Sequence, residues 1–172
     1  MRISDKFIFF YKENLSQWGK VYMTDPITNI RYSSCEQYMM ANKALLFNDK
    51  ETYNKIMKTD NPKIQQDLGR IVNNFDSNIW DAKKYEIVKS GNILKFTQNE
   101  YLKKQLLSYP KKCSFVEASP FDRVWGIGLS QDDFDADYEE HWLGQNLLGE
   151  VITEVRDGIL KCLSFENNMY II

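Results

Sequence analysis

Ser33-Ser34-Cys35-Glu36-Gln37-Tyr38-Met39-Met40-Ala41-Asn42-Lys43-Ala44-Leu45-Leu46-Phe47-Asn48 begins with Ser-x-x-Glu, a pattern in which hydroxyl and carboxylate satisfy amides that a helix start leaves open. The segment therefore reads as a helix to about Asn48, with Glu36, Met40, Lys43 and Phe47 on one face. Outward from it the same signals recur. Residues 51–58 form a second helix, and Asn61-Pro62, as N-cap and first helical residue, opens a third to about Asn74. Asp76-Ser77-Asn78 caps a long fourth helix to about Phe96, a fifth covers 100–109 and ends at Pro110, and 147–163 form an amphipathic last one. Strand propensity is confined to Phe7-Ile8-Phe9-Phe10-Tyr11, Lys20-Val21-Tyr22-Met23, Arg31-Tyr32 and a buried run from Cys113 to Ala118, with turns at Asp25-Pro26, Thr28-Asn29 and Ser119-Pro120. The expected fold is α+β, a mainly helical single domain over 1–172 with a small β-sheet.

At 172 residues, 43% hydrophobic and 14% aromatic, the chain can bury one core without staples. Met1-Arg2-Ile3-Ser4-Asp5-Lys6 lacks the order of a secretory signal, and no apolar run approaches the roughly 20 residues that span a bilayer. A soluble cytoplasmic protein with no membrane partner is expected. Cys35, Cys113 and Cys162, odd in number and widely spaced, read as reduced core thiols. The single histidine, His141, excludes a His-rich metal cluster; it sits in an acidic stretch and reads as a surface side chain, so carboxylates and lysines must carry any chemistry. The net charge of −2 gives no general attraction to nucleic acid. Between Asp81 and Lys112, eight lysines stand against three acids, making either solvated helix faces or an anion-attracting side. The run Asp133-x-Asp135-x-Asp137-x-Glu139 fails as a calcium loop, because Tyr138 and Gly144 stand where Gly and a bidentate Glu are required. It reads as a solvated, mobile loop, and neither metal nor cofactor is expected.

The densest candidate stretch is Phe115-Val116-Glu117-Ala118-Ser119-Pro120-Phe121-Asp122-Arg123-Val124-Trp125-Gly126-Ile127-Gly128. A strand delivers Glu117 to a Pro-bounded turn, Asp122 follows, and Trp125 with Gly126 and Gly128 offers an aromatic surface beside backbone able to approach a ligand closely. Glu117 and Asp122 either divide into proton donor and charge stabiliser, or pair with Arg123, Arg156 or backbone amides and pin the turn. Asn146 reads as the N-cap of the last helix, whose amides would suit a phosphate or ribose hydroxyl. Glu36 either reaches back to the Ser33 amide or serves chemistry, Lys43 is either an exposed amine or a nucleophile, and Trp18 is core or a stacking platform.

Taken in order, Ser34-Cys35-Glu36-Gln37-Tyr38-Met39-Met40-Ala41-x-Lys43-Ala44, Leu68-Gly69-Arg70, Trp80, Lys95-Phe96-x-Gln98-Asn99, Val116-Glu117-Ala118-x-x-x-Asp122-x-x-Trp125-Gly126-x-Gly128, Gly144-x-Asn146-x-Leu148-Gly149 and Val155-Arg156 resemble the NADAR superfamily of YbiA-like proteins over nearly the whole chain. The resemblance implies metal-independent N-glycosidase activity, in one branch on phosphorylated pyrimidine intermediates of riboflavin synthesis and in another on ADP-ribose attached to guanine. The implied partner is a ribosylated or ADP-ribosylated small molecule or nucleobase, with ADP-ribosylated nucleic acid a further one that the acidic 130–141 stretch disfavours.

Both substrate classes join a sugar carbon to an exocyclic amine, so the furanose can open to an imine into which a lysine exchanges. Lys43 is the first candidate for that lysine and Lys95, otherwise a phosphate holder, the second. A direct route instead needs a carboxylate beside an oxocarbenium-like sugar and a general acid on the leaving nitrogen. Glu36, Glu117 and Asp122 are the candidates for those roles. Trp18 or Trp125 would stack on the base, and Gly126, Gly128 and Asn146 would contact ribose or phosphate. The competing expectation is a module that binds ADP-ribose or a related nucleotide without cutting it.

Overall fold

The computed structural model describes residues 1–169. In chain order the elements are β1 (Arg2–Ile3), β2 (Phe7–Phe10), β3 (Met23–Thr24), β4 (Arg31–Tyr32), α1 (Cys35–Leu46), α2 (Lys50–Met57), α3 (Pro62–Arg70), α4 (Ser77–Gln98), α5 (Glu100–Ser108), β5 (Ser114–Glu117), two 3-10 turns (Phe134–Asp137 and Glu139–His141) and α6 (Leu147–Met169). The architecture is α+β and mainly helical, as the patterning predicts. Two compact units divide it, residues 17–99 and residues 1–16 with the chain from Glu100 onward. No helix among the described residues is long and apolar enough to cross a membrane.

In the unit of 17–99, α1 packs against α2, α3 and α4. Its buried side chains include Met39, Met40, Ala41 and Ala44. Asp49 caps α2 by accepting from the Thr52 amide at 3.0 Å, Asn61 caps α3, and Asp76 caps α4 by accepting from the Asn78 amide at 2.8 Å. Helix α3 stops at Arg70, short of the expected Asn74, because the Asn73 amide donates to the Asp49 carboxylate at 2.8 Å and draws the chain off the helical path. The strand expected over Lys20-Val21-Tyr22-Met23 is displaced to Met23–Thr24. There the ladder with β4 forms, and Gln98 at the end of α4 brackets Thr24, accepting from its amide at 2.8 Å and donating to its carbonyl at 2.6 Å.

In the other unit, β2 is central in a three-stranded sheet, antiparallel to β1 and parallel to β5 with Phe9 opposite Val116. Both faces of β2 are covered, so its four residues read as an uninterrupted apolar run. One face joins Phe7, Phe9, Val116, Ala118, Ile127 and Ala136 in a core, and β5 packs on α6. Arg156, almost fully buried in α6, donates to the Cys113 carbonyl at 2.7 Å ahead of β5. It therefore pins the strand start and is not the partner of Glu117 or Asp122 that the sequence left open. Of the three free cysteines, Cys35 and Cys113 are buried, but Cys162 is exposed on α6, correcting the expectation of three core thiols.

The acidic loop is more ordered than its composition implies. Asp133 caps the first 3-10 turn, Arg2 pairs with Asp137 at 2.7 Å, and the Trp142 indole donates to the Ala136 carbonyl at 2.8 Å, burying Ala136. His141 is exposed as expected, with Nδ1 2.7 Å from Asp135 Oδ1.

Candidate active site

Within residues 17–99 the start of α1 settles what Glu36 does not do. Ser34, not Ser33, is the N-cap: its hydroxyl accepts from the Gln37 amide at 3.0 Å, and Gln37 Oε1 accepts from the Ser33 amide at 2.7 Å. The cap pair is thus Ser34 and Gln37, one residue later than expected, with the Gln37 side chain returning to the amide just before the cap, and Glu36 is relieved of the capping role. Glu36 is nevertheless 2% exposed, and its amide donates to the Gln17 carbonyl at 3.0 Å. That bond holds Gln17, the residue before the 41% exposed Trp18, at the start of α1.

Two turns along α1 stands Lys43, half-buried. Its Nζ lies 4.3 Å from the Phe75 ring centroid and 5.2 Å from that of Trp80. Burial lowers its pKa and the Glu36 carboxylate opposes that, with burial prevailing. An amine so placed gives up its proton more readily than a solvated lysine.

Lys95 is fully buried, 5.1 Å from the Phe96 centroid, and burial lowers its pKa against the influence of Cys35. Cys35 in turn has its thiol pushed up to about 11 by burial, with Lys95 opposing and Glu36 adding to the rise. Since Lys95 has no solvent exposure in this state, the phosphate contact expected of it requires the interior to open. The anion-attracting face is also thinner than the lysine count implies, because Lys95 is interior, Lys84 pairs with Asp81 at 2.7 Å and Lys104 with Glu100 at 3.8 Å.

In the other unit, Glu117 ends β5 half-buried, with its amide donating to Asn146 Oδ1 at 2.9 Å and its carbonyl accepting from the Ile127 amide at 2.9 Å. Asp122 Oδ1 accepts from the Val124 and Trp125 amides, both at 2.8 Å, which is the turn-pinning alternative for that oxygen. Trp125 is half-buried.

The close backbone approach at the Trp-Gly-x-Gly segment is to the chain itself. A Cβ on Gly126 would stand 2.8 Å from the Glu117 carbonyl oxygen, and Gly128 has φ +72. Residues 143–148 run alongside, donating the Leu143, Gln145, Leu147 and Leu148 amides to the carbonyls of Ile127, Arg123, Val124 and Trp125.

Two expectations are corrected here. The first amides of α6 are not open to a phosphate, because the carbonyls of Val124 and Trp125 already receive them at 3.3 and 3.0 Å. Asn146 does not turn its side chain to cap α6; it holds φ 56 and spends its carboxamide on β5, accepting from the Glu117 amide and donating to the Phe115 carbonyl at 3.1 Å.

A cavity of about 490 Å³ opens beside Asn146 and Trp142, but Glu139, Glu150 and Glu154 line it. Burial raises the Glu150 pKa, with Glu154 and then Glu139 adding to it. A site walled by carboxylates repels a phosphate, so this cavity does not suit the expected substrate.

The structure thus brings Trp18, Glu36, Lys43 and Lys95 into one unit and Glu117, Asp122, Trp125, Gly126, Gly128 and Asn146 into the other. Sequence reasoning missed Phe75 as a neighbour of Lys43 and gave Trp80 no role. No helical spacing joins either to α1; the only local signal for Phe75 is a large aromatic left 47% exposed just before the Asp76 cap.

A family model described as the NADAR domain matches residues 9–160. The chain is 42% identical over 165 residues to N-glycosidase R617 of Acanthamoeba polyphaga mimivirus, covering 90% of this chain and 96% of that protein. It is 35% identical over 141 residues to Protein irg-1 of Caenorhabditis elegans, covering 81% of this chain and 66% of that one. The NMR structure of the E. coli protein YbiA superposes with a TM-score of 0.72 at 22% identity, covering 92% of this chain and 88% of that chain, and shares its fold.

Proposed function

The chain belongs to the NADAR domain family, and from that premise we propose that it is an N-glycosidase, hydrolysing the bond between an amine nitrogen of a base and C1 of a ribose phosphate or ADP-ribose. The observation that carries this reading is the state of Lys43: half-desolvated, with a lowered pKa, and two helical turns from the buried carboxylate of Glu36. The 42% identity to a protein named an N-glycosidase supports it.

The chemistry follows from that amine. Ring opening of the furanose turns the C1–N bond into a protonated imine, and neutral Lys43 adds to C1. A proton passes to the base nitrogen, which leaves as a free amine while the Lys43 nitrogen forms the new C=N bond. Water then adds at C1, and the sugar departs as its aldehyde with Lys43 restored. Glu36 carries the proton between the amine and the departing nitrogen. The route uses neither metal nor cofactor.

Glu117 supplies a second carboxylate and Asp122, engaged through Oδ1, a charge stabiliser. Trp18 and Trp125 offer faces to the base. Gly126, Gly128 and Asn146 act by shaping the loop that carries Trp125, and Lys95 by balancing charge in the interior. The exposed carboxylates of 132–140 disfavour a polyanion, so a small nucleotide conjugate suits the chain better than modified DNA. The domain that acts is the matched span of 9–160, and the buried free thiols suit a reducing, cytoplasmic setting.

The test incubates the protein separately with a pyrimidine ribose phosphate amine and with ADP-ribosylated guanine, following released sugar by mass spectrometry. Borohydride should trap a sugar adduct on Lys43, and Lys43→Ala should lose the adduct and turnover by about 10³-fold or more. Absence of turnover on both by folded protein overturns the reading, and tight binding of intact conjugate without product makes the chain a binding module instead.

A further inference from the structure

We propose that Phe75 and Trp80 are positioning residues, a two-ring clamp that fixes the Lys43 amine in one place. Both centroids, at 4.3 and 5.2 Å from Nζ, lie within the range of about 6 Å where an aromatic face attracts an ammonium. Phe75 is 47% exposed, yet its ring has a packing partner and the chain just before it is tied down. Phe47, one turn beyond Lys43 on the same face of α1, meets it edge-on with centroids 5.3 Å apart. Two residues before it, the Asn73 amide and carboxamide donate to Asp49 Oδ2 at 2.8 and 3.0 Å, while Asp49 Oδ1 caps α2. Between these, Asn74 takes the left-handed φ of 56 that a short polar side chain tolerates. The ring thus packs on a second ring and follows a segment tied to a capping carboxylate through a left-handed residue.

The clamp has a chemical consequence. Ring faces attract the ammonium and not the neutral amine, so protonated Lys43 is docked and its large rotamer freedom removed before substrate arrives. Loss of the proton weakens the hold as the amine becomes a nucleophile, leaving the neutral nitrogen able to reach C1. This catalytic consequence rests on the reading of Lys43 as the nucleophile; the docking itself does not.

Phe75→Leu keeps apolar bulk and removes the ring face, whereas Phe75→Tyr keeps the face; Trp80→Leu is the second ring-deleting variant. The Lys43 titration is followed by NMR of ¹³C-methylated protein, assigned with Lys43→Arg, and kcat and KM are measured alongside. We expect each Leu variant to lower the Lys43 titration midpoint by about half a pH unit. We also expect kcat to fall about tenfold or more with KM within about twofold, and Phe75→Tyr to restore both. An unmoved titration in both Leu variants overturns the clamp, as does a raised KM at unchanged kcat, which would make the rings substrate contacts. A moved titration with unaltered turnover upholds the clamp and removes Lys43 from the chemistry.

Discussion

Helix α1 and the paired segments 117–128 and 143–148 use the same kinds of residue in opposite ways. On α1 the backbone is generic and the side chains differ in fate: Glu36 is spared from capping by Gln37, and the Lys43 amine lies against two aromatic rings. In the paired segments the backbone is the special part. Glycines, a left-handed Asn146 and the Asp122 carboxylate are consumed in making two lengths of chain lie against one another. Chemistry carried by side chains on a helix tolerates small backbone adjustments, whereas a surface built from interlocked carbonyls and amides does not.

Two glycines put that contrast to the test. A Cβ on Gly144 would stand 2.3 Å from the Gly126 carbonyl oxygen and 2.7 Å from Arg123 Cα, both backbone and both hemmed in. On Gly69 it would stand 1.8 Å from Met40 Sδ, the movable end of a thioether. Gly144→Ala is expected to cost about 3 kcal/mol or more of unfolding free energy, the upper range of overpacking. Gly69→Ala is expected to cost about 1 kcal/mol or less, since helix propensity favours the alanine and Met40 can repack. Urea unfolding of the two variants reads the difference, and equal costs would break the comparison.

A smaller effect is expected at Asn146. Truncation to alanine removes both bonds to β5 and leaves the Glu117 amide and the Phe115 carbonyl to lose their partners in a buried place. The cost should be about 2 kcal/mol, seen as a lower urea midpoint at unchanged slope. Catalysis, if α1 carries the nucleophile, should suffer less than in Lys43→Ala. A turnover loss as deep as that of Lys43→Ala in folded protein would transfer chemistry to the loop.

What was legible in the sequence divides along the same line. The six helices follow from local rules, and so do the Asn61 and Asp76 caps, because apolar spacing and Asp, Asn or Pro at helix starts act within one turn. The first cap is expected one residue early, at Ser33 with Glu36, whereas Ser34 with Gln37 forms it. Tertiary bonds hold it there: the Ser34 hydroxyl also donates to Gln65 Oε1 at 3.0 Å, and Gln37 Nε2 donates to the Ile56 and Thr59 carbonyls at 3.1 and 3.0 Å. The proximity of Glu36 and Lys43 was readable from seven-residue spacing. The Phe75 ring was not, because its place depends on Asn73 reaching a carboxylate 24 residues upstream. Nor was the fate of the α6 amides, which is decided by carbonyls of 124 and 125 in another segment. The strand β1, two residues long, carries too little pattern to read at all.

The weakest expected effect concerns the brace behind Phe75 and appears only in acid. The Asp49 carboxyl is held down to about 2, chiefly by the Asn73 amide and then by Thr52. A carboxyl lowered on folding contributes stability that is fully present above its unfolded value, 3.8 for this group, and that is lost as pH falls through the folded one. The contribution should therefore be constant from neutral pH down to about 5, shrink below about 4 and be gone only below about 2. Melting temperatures of wild type and Asp49→Asn, compared across that range, should differ at neutral pH and converge in acid. Because Asp49 grips the turn and not Lys43, the same acid window should loosen Phe75 without directly titrating the amine, and line broadening of the Phe75 ring signals below pH 4 is the local signature. A gap between the two proteins that persists unchanged down to pH 2 would mean that Asp49 stabilises α2 by shape alone and that the brace is not electrostatic.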